Sequence, residues 1–151
     1  MLNKIQEFIV IHYKLFKLLF RATKKGYLRE IGWIHSYKNQ TPVNKKLQPI
    51  PWVTYSCTSY IENRLNKSMN IFEYGSGSST FYYAEKVNRV ISVEHDKKWY
   101  EKLIEYIPEN VKLIHCELKY GGDYCKTIVS TDSKYSIIIV DGRDRVNCIL
   151  N

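Results

Sequence analysis

The sequence has few residues that interrupt secondary structure, with seven glycines and four prolines among 151 residues. Together with a hydrophobic content of 44%, this scarcity excludes a collagen-like, low-complexity or wholly disordered chain. The sequence also lacks an apolar run of the roughly 20 residues that a transmembrane helix needs. Its apolar stretch over residues 8–20 is interrupted by His12, Lys14 and Lys17, and no small-residue cleavage site follows, so we also expect no signal peptide.

Metal-binding patterns of cysteine are absent as well. The four cysteines form no C-x-x-C pair and show none of the spacings that a zinc site requires. They stand at positions 57, 116, 125 and 148. We therefore expect no metal site, four free thiols and a reducing, cytoplasmic environment.

Acidic residues are scarce in the first third of the chain. Residues 1–50 hold ten basic and two acidic residues, whereas residues 51–151 hold thirteen of each, so the formal charge of +8 (10 − 2) lies entirely in the first segment. This asymmetry indicates a basic surface helix attached to a neutral domain. It argues against a nucleic-acid partner, because no recognisable binding motif accompanies the basic residues.

Residues 2–20 show the periodicity of an amphipathic helix. Apolar side chains share one arc of this helix: Leu2, Ile5, Phe8, Ile9, Leu15, Phe16, Leu19 and Phe20. Polar side chains lie opposite: Asn3, Gln6, Glu7, Lys14, Lys17 and Arg21. Two interpretations stay open. The helix packs on its own domain, or it makes a peripheral contact with the anionic inner face of a membrane.

From residue 70 onwards, predicted strands and helices alternate. The region before it is a polar connector with one short turn around residues 31–37, then a predicted helix at 52–65. Strands are predicted at 70–74, 89–94, 111–116 and 135–140, helices at 79–87 and 97–107, and mixed structure at 118–133. This order predicts an α/β fold, a Rossmann-like parallel sheet with flanking helices. The apolar run Ile137–Val140 is typical of a strand covered on both faces.

The first predicted strand runs into a glycine-containing turn that opens a helix, with the sequence Glu73-Tyr74-Gly75-Ser76-Gly77-Ser78-Ser79-Thr80. Gly75 and Gly77 allow a tight turn and a close approach to a ligand. A dinucleotide-binding turn would carry a third glycine in place of Thr80 and an apolar residue in place of Glu73. Both departures argue against NAD.

Charged residues follow two further strands. Glu94 ends the second strand, nineteen residues after Gly75, where a carboxylate can accept hydrogen bonds from both hydroxyls of a ribose. The fourth strand runs into Asp141-Gly142-Arg143-Asp144-Arg145. A solvated strand end and a salt-bridged loop are the structural alternatives. Because the carboxyl ends of parallel strands share one edge of a sheet, we expect a site there.

Taken together, these blocks resemble one protein family. Glu73-x-Gly75-x-Gly77, Val93-Glu94-His95-Asp96 and Ile139-Val140-Asp141-Gly142 resemble class I S-adenosylmethionine-dependent methyltransferases, and the longer stretches around them are similar to one bacterial branch of that superfamily. The resemblance covers about residues 26–151. It implies a basic helix and connector over residues 1–50 and a cofactor-binding half-domain over residues 51–151.

The resemblance also implies roles for individual residues. The turn would cradle the methionine part of S-adenosyl-L-methionine, with Glu73 near its ammonium; Glu94 would hold the ribose, and His95 would lie near the adenosine. The turn residues are Gly75, Ser76, Gly77, Ser78 and Ser79. Glu117 and Asp123 compete for the adenine amino group. Asp141 is the expected catalytic base, with His95 and Asp144 as alternatives, and the methyl acceptor is a small molecule or a glycan.

Further strands would follow the fourth in this family, whereas about ten residues follow it here. We therefore expect a truncated methyltransferase with an incomplete sheet of about four strands, in which residues 137–140 form an edge that self-associates or is covered by the N-terminal region. Two other hypotheses stay open. One is a non-catalytic S-adenosylmethionine-binding or interaction protein tethered by its N-terminal helix, and the other is a different nucleotide-dependent α/β enzyme such as a reductase.

Overall fold

The computed structural model describes residues 4–151, without the side chains of Ile5 and Ala22. Leu2 and Asn3 of the predicted first helix therefore lie outside the described residues. The chain divides into two compact units, one ending at Pro49 and the other beginning at Ile50.

The described residues of the first unit form the helices α1 (Lys4–Lys24), α2 (Tyr27–Glu30) and α3 (Trp33–Asn39). An isolated antiparallel bridge then joins Val43 to Pro49. Gly32 precedes α3 with φ of 95°, and a Cβ there would lie 2.5 Å from the carbonyl carbon of Asn44. The sequence predicts one short turn in this region, whereas two helices, α2 and α3, form there.

The apolar side chains of α1 are exposed. The exposed fraction is 62% for Phe8, 68% for Phe16 and 65% for Leu19. The first unit itself therefore does not cover the apolar arc of this helix. Among the described helices, none is long and apolar enough to cross a membrane.

The second unit holds the sheet. Its strands are β1 (Asn70–Tyr74), β2 (Arg89–Glu94), β3 (Val111–His115) and β4 (Ile137–Val140). Its helices are α4 (Tyr55–Glu62), α5 (Ser78–Lys86), α6 (Lys97–Ile104), α7 (Asp123–Lys126) and α8 (Arg145–Leu150), with a 3₁₀ turn at Val129–Thr131. All pairings are parallel and the strand order is β3-β2-β1-β4. The fold prediction is confirmed: a four-stranded parallel sheet with flanking helices, preceded by an N-terminal helix.

Side chains of alternate strand residues pack into two hydrophobic cores, one on each face of the sheet. Ile71 and Val90 pack with Tyr83 of α5 on one face. On the other face, Phe72 and Tyr74 pack with Tyr124, Cys125 and Cys148 of α7 and α8. Helices cover both faces of β1, and its buried residues are therefore apolar on both faces, with Glu73 as the exception.

Strand β4 is less covered than its sequence predicts. It ends the strand order and pairs with β1 alone among the described strands. Ile137 and Ile139 pack against the core under α5, whereas Ile138 is 52% exposed on the opposite face. The prediction that this strand is covered on both faces is therefore wrong at Ile138.

Helix α8 was not expected from the sequence. Cys148 is its buried residue, while Val146 and Ile149 are each 71% exposed. The helix thus lacks the apolar periodicity by which an amphipathic helix is recognised.

Candidate functional site

Three turns converge at the carboxyl ends of β1, β2 and β4 and enclose a cleft of about 520 Å³. The chain runs from β1 through β2 to β3 and then returns to the other side of β1, so the cleft lies at the topological switch point of the sheet. Seven of the predicted site residues line it: Glu73, Gly75, Ser76, Ser79, Glu94, His95 and Asp141. Gly77 and Ser78 are not among its lining residues, and neither are the adenine candidates Glu117 and Asp123.

The two glycines of the first turn have different roles. Gly75 has φ of 91°, and a Cβ on it would lie 2.9 Å from the Cα of Gly142. Its N–H donates to the carbonyl of Val93 at 2.9 Å. Gly77 has an extended backbone with φ of 171°, and a Cβ there would meet no atom within 4 Å. Gly75 thus closes the turn, whereas Gly77 leaves open space beside it.

Glu73 is completely buried beneath the cleft. Three hydroxyls donate to its carboxylate: those of Ser79, Thr80 at 2.6 Å and Ser92 at 3.1 Å. Burial disfavours the charged form and raises the pKa of Glu73 to about 7, although the hydroxyl donors pull the pKa in the opposite direction. The carboxyl group therefore changes charge near neutral pH.

The two hydrogen bonds of the Thr80 hydroxyl explain why a threonine stands where the dinucleotide pattern has its third glycine. Its hydroxyl oxygen accepts a hydrogen bond from the N–H of Gly77 at 3.0 Å and donates to Glu73. Thr80 is fully buried, so both bonds are shielded from water. A glycine at position 80 would supply neither bond, and Glu73 would lose one of its three donors.

Glu94 joins two of the turns. Its Oε2 accepts from the N–H of Ser76 at 3.0 Å, and its Oε1 accepts from the N–H groups of His95 and Asp96, each at 2.8 Å. The Nδ1 of His95 lies 2.9 Å from the same Oε1. A carboxylate has about four acceptor positions, so the contacts leave acceptor capacity on Oε2.

Trp99 is a cleft residue that the sequence reasoning missed. Asp96 caps α6 by accepting from the N–H of Trp99 at 3.0 Å, and this hydrogen bond lowers the pKa of Asp96. The indole Nε1 of Trp99 then donates to the carbonyl of Ser76 at 2.8 Å. The cap was recognisable from the sequence, but the contact between the indole and the first turn depends on the spacing of two strands.

We expect Trp99→Phe to lower the free energy of unfolding by about 1 kcal/mol, because it removes the hydrogen bond to Ser76 and keeps an aromatic ring. Trp52→Phe is the matched control, since Trp52 is 72% exposed. Urea denaturation followed by circular dichroism measures both. Equal effects of the two variants would contradict a structural role for the indole N–H.

The charged turn after β4 contains an ion pair, in line with the salt-bridged loop that the sequence offers as the structural alternative. The Nη2 of Arg145 lies 3.0 Å from Oδ1 of Asp141, the predicted base. Asp144 is buried and instead accepts from the N–H of Gly121 at 2.8 Å, so it holds a loop together. Arg143 is exposed and also lines the cleft. The turn thus brings one paired carboxylate and one further cation to the cleft.

Comparisons with known proteins find a similarity among solved structures. No family model matches the sequence. No curated protein matches it either. Among solved structures, the chain is similar to precorrin 8W decarboxylase from Methanobacterium thermoautotrophicum, with 16% sequence identity and a TM-score of 0.49. The match covers 74% of this chain and 61% of that protein.

Proposed function

We propose that the second unit binds S-adenosyl-L-methionine and that the chain is an S-adenosylmethionine-dependent methyltransferase, or the cofactor-binding portion of one. One observation carries the proposal. Two buried glutamates lie at the carboxyl ends of adjacent parallel strands beside the turn at Gly75: Glu73 is the last residue but one of β1, and Glu94 is the last residue of β2. The resemblance of the three sequence blocks to class I methyltransferases adds to it.

The chemistry of the donor and acceptor groups fits this cofactor. Glu94 is held in place by backbone N–H groups and keeps acceptor capacity for a ribose hydroxyl. Glu73 is a buried carboxyl group that a nearby ammonium would favour in its charged form. Because Glu73 has no exposed surface, the ammonium would meet it through the Ser79 hydroxyl or a bridging water.

A dinucleotide fits the same turn less well. Its pyrophosphate would lie at the start of α5, close to the carboxylate of Glu94, and like charges at such a distance repel each other. In addition, Thr80 occupies the position where the dinucleotide pattern has glycine. Both features favour a ligand without a pyrophosphate over a dinucleotide.

When bound, the cofactor supplies a methyl group already activated by its sulfonium. The protein then mainly needs to align the acceptor with that methyl group. A general base is required where the acceptor is a hydroxyl or a protonated amine. We propose that Asp141 accepts this proton from the acceptor, once its carboxylate is no longer paired with Arg145. The acceptor class, a small molecule or a glycan, rests on the family resemblance alone.

We expect Glu94→Gln to weaken the binding of S-adenosylhomocysteine by 10- to 100-fold, about 1–3 kcal/mol, because the ribose loses a charged acceptor. Titration calorimetry measures the change. Glu101→Gln on the exposed side of α6 removes the same charge away from the cleft and should bind like the wild type. Equal affinities for all three proteins would contradict the assignment of Glu94.

Glu94→Gln also disturbs three backbone hydrogen bonds, so a second variant keeps the test independent of folding. Gly77→Val adds a side chain to open space, and its extended backbone suits any residue. It should fold like the wild type and lose cofactor binding. Unchanged binding would contradict the proposed position of the methionine part.

Binding without transfer is the alternative function, and the ion pair of Asp141 with Arg145 favours it. The two functions differ in one measurement. A catalytic protein transfers labelled methyl from S-adenosylmethionine to a small-molecule or glycan fraction of a cell extract, and Asp141→Ala abolishes that transfer. Cofactor binding with no transfer to any fraction would support the non-catalytic alternative.

A further inference from the structure

We propose that the first unit binds the surface of an anionic lipid bilayer through helix α1. The apolar arc of α1 would enter the interface between headgroups and acyl chains, and the basic residues of the unit would contact or lie near the anionic headgroups. The proposal is independent of the cofactor assignment, because it uses residues of the first unit alone.

The first observation is the exposed apolar arc of α1. Bulky side chains along the helix are about half to two-thirds exposed: Phe8 62%, Ile9 59%, Leu15 49%, Phe16 68%, Leu19 65% and Phe20 51%. At 100° per residue they occupy one continuous side of the helix. An apolar surface of this kind marks an interaction site with a partner or a membrane.

The second observation is a basic strip along the other side of the same helix. Lys14, Lys17, Arg21 and Lys24 follow each other at intervals of three, four and three residues, which places them on one line. The Nζ of Lys24 lies 4.5 Å from the ring centroid of Phe20, at the border between the strip and the apolar arc. A helix that lies in the plane of the interface buries its apolar side and keeps its polar side at the level of the headgroups, so the strip would lie beside the anionic charges.

The third observation is a basic cleft that begins at the carboxyl end of α1. It has a volume of about 420 Å³ and is lined by Lys24, Lys25, Arg29, His35 and Lys45, with Glu30 as its acidic residue. Arg29 Nη1 donates to the carbonyl of Thr23 at 3.3 Å, which holds the guanidinium beside the end of the helix. Such a cleft suits a phosphate-bearing headgroup, because its cationic side chains converge where α1 ends.

Charge decides between a bilayer and a second copy of the chain. Residues 1–50 carry ten basic and two acidic residues, so two copies packed through this unit would bring like charges together. An anionic bilayer neutralises that charge and also accepts the apolar arc. A nucleic acid would neutralise the charge but would leave the apolar arc exposed to water.

Co-sedimentation of the full chain with vesicles tests the proposal. We expect binding to phosphatidylcholine vesicles that contain phosphatidylserine, weak binding to phosphatidylcholine alone, and release of most of the bound protein at about 1 M salt, where the Debye length is about 3 Å. Lys14→Gln/Lys17→Gln/Arg21→Gln should weaken the binding by about 100-fold, since each basic residue near such a surface contributes about five-fold.

Two matched variants separate charge from apolar contact. Lys102→Gln/Lys112→Gln/Lys126→Gln removes three exposed charges from the second unit and should bind like the wild type. Phe16→Ser/Leu19→Ser keeps the charge and should weaken binding at least about ten-fold. Equal binding to neutral and anionic vesicles would overturn the proposal, and so would equal losses in the two triple variants.

Two further outcomes overturn it. Saturable binding of free inorganic phosphate, together with no binding to anionic vesicles, would make the basic cleft a phosphate site and not a membrane contact. A wild-type protein that sediments as an oligomer and binds neither kind of vesicle, while Phe16→Ser/Leu19→Ser sediments as a monomer, would show that a second copy covers the apolar arc.

Discussion

Raising the pH from about 5 to about 8 is expected to lower the free energy of unfolding by about 2.5 kcal/mol through Glu73 alone. The pKa of Glu73 is about 7 in the folded protein, against 4.5 for an ordinary glutamate. Between these two values the folded state keeps a proton that the unfolded state has released. The unfolded state is therefore favoured as the pH rises through this window, and the stabilising contribution of the protonated group is lost.

The variant Glu73→Gln should remove this pH dependence, because a neutral amide of the same shape stays uncharged at every pH. Urea denaturation curves at several pH values, for wild type and variant, give the difference directly. Glu101→Gln is the control, because Glu101 is exposed and should leave the slope unchanged. A slope that survives in Glu73→Gln would show that the buried carboxyl does not titrate near neutral pH.

Gly75→Ala is expected to destabilise the protein by about 3 kcal/mol, from left-handed backbone strain together with a close backbone contact. The strain follows from φ of 91°, and the contact is the 2.9 Å approach of the new Cβ to the Cα of Gly142. Gly77→Ala, two residues further on, should change the stability by less than about 0.5 kcal/mol, because its Cβ meets open space.

Thermal unfolding of the two alanine variants tests this contrast. The midpoint for Gly75→Ala should fall by several degrees, and that for Gly77→Ala should stay at the wild-type value. The opposite order would mean that Gly77 closes the turn, and equal shifts would contradict the special role assigned to Gly75. The contrast also bears on function, since a glycine that the fold does not need is available for contact with a ligand.

The elements most accurately predicted from the sequence are those bounded by local signals. The predicted bounds of strands β1 and β2 agree with the observed ones, because the first apolar run ends at Gly75 and the second ends at the polar residues that follow Val93. The site residues Glu73, Glu94 and Asp141 meet at one cleft because parallel strands bring their carboxyl ends to one edge. These features follow from the spacing of apolar residues along the sequence and from the parallel topology of the sheet.

The remaining features depend on distances between elements that are far apart in sequence. The hydrogen bond from Trp99 to Ser76 spans 23 residues, and no local pattern indicates it. The run of charges after β4 indicates a salt-bridged loop, but it does not indicate which of Arg143 and Arg145 pairs with Asp141. The exposure of Ile138 depends on which helices cover the face of β4, which the apolar run itself does not reveal.

Titration calorimetry of the wild-type protein tests the proposed function most directly. It should be performed with S-adenosylhomocysteine, S-adenosylmethionine and NADPH in the same buffer. We predict saturable binding of both sulfur compounds with one site per chain, and no heat of binding with NADPH. Binding of NADPH, or the absence of binding with both S-adenosyl compounds, would contradict the proposal that this cleft is an S-adenosylmethionine site.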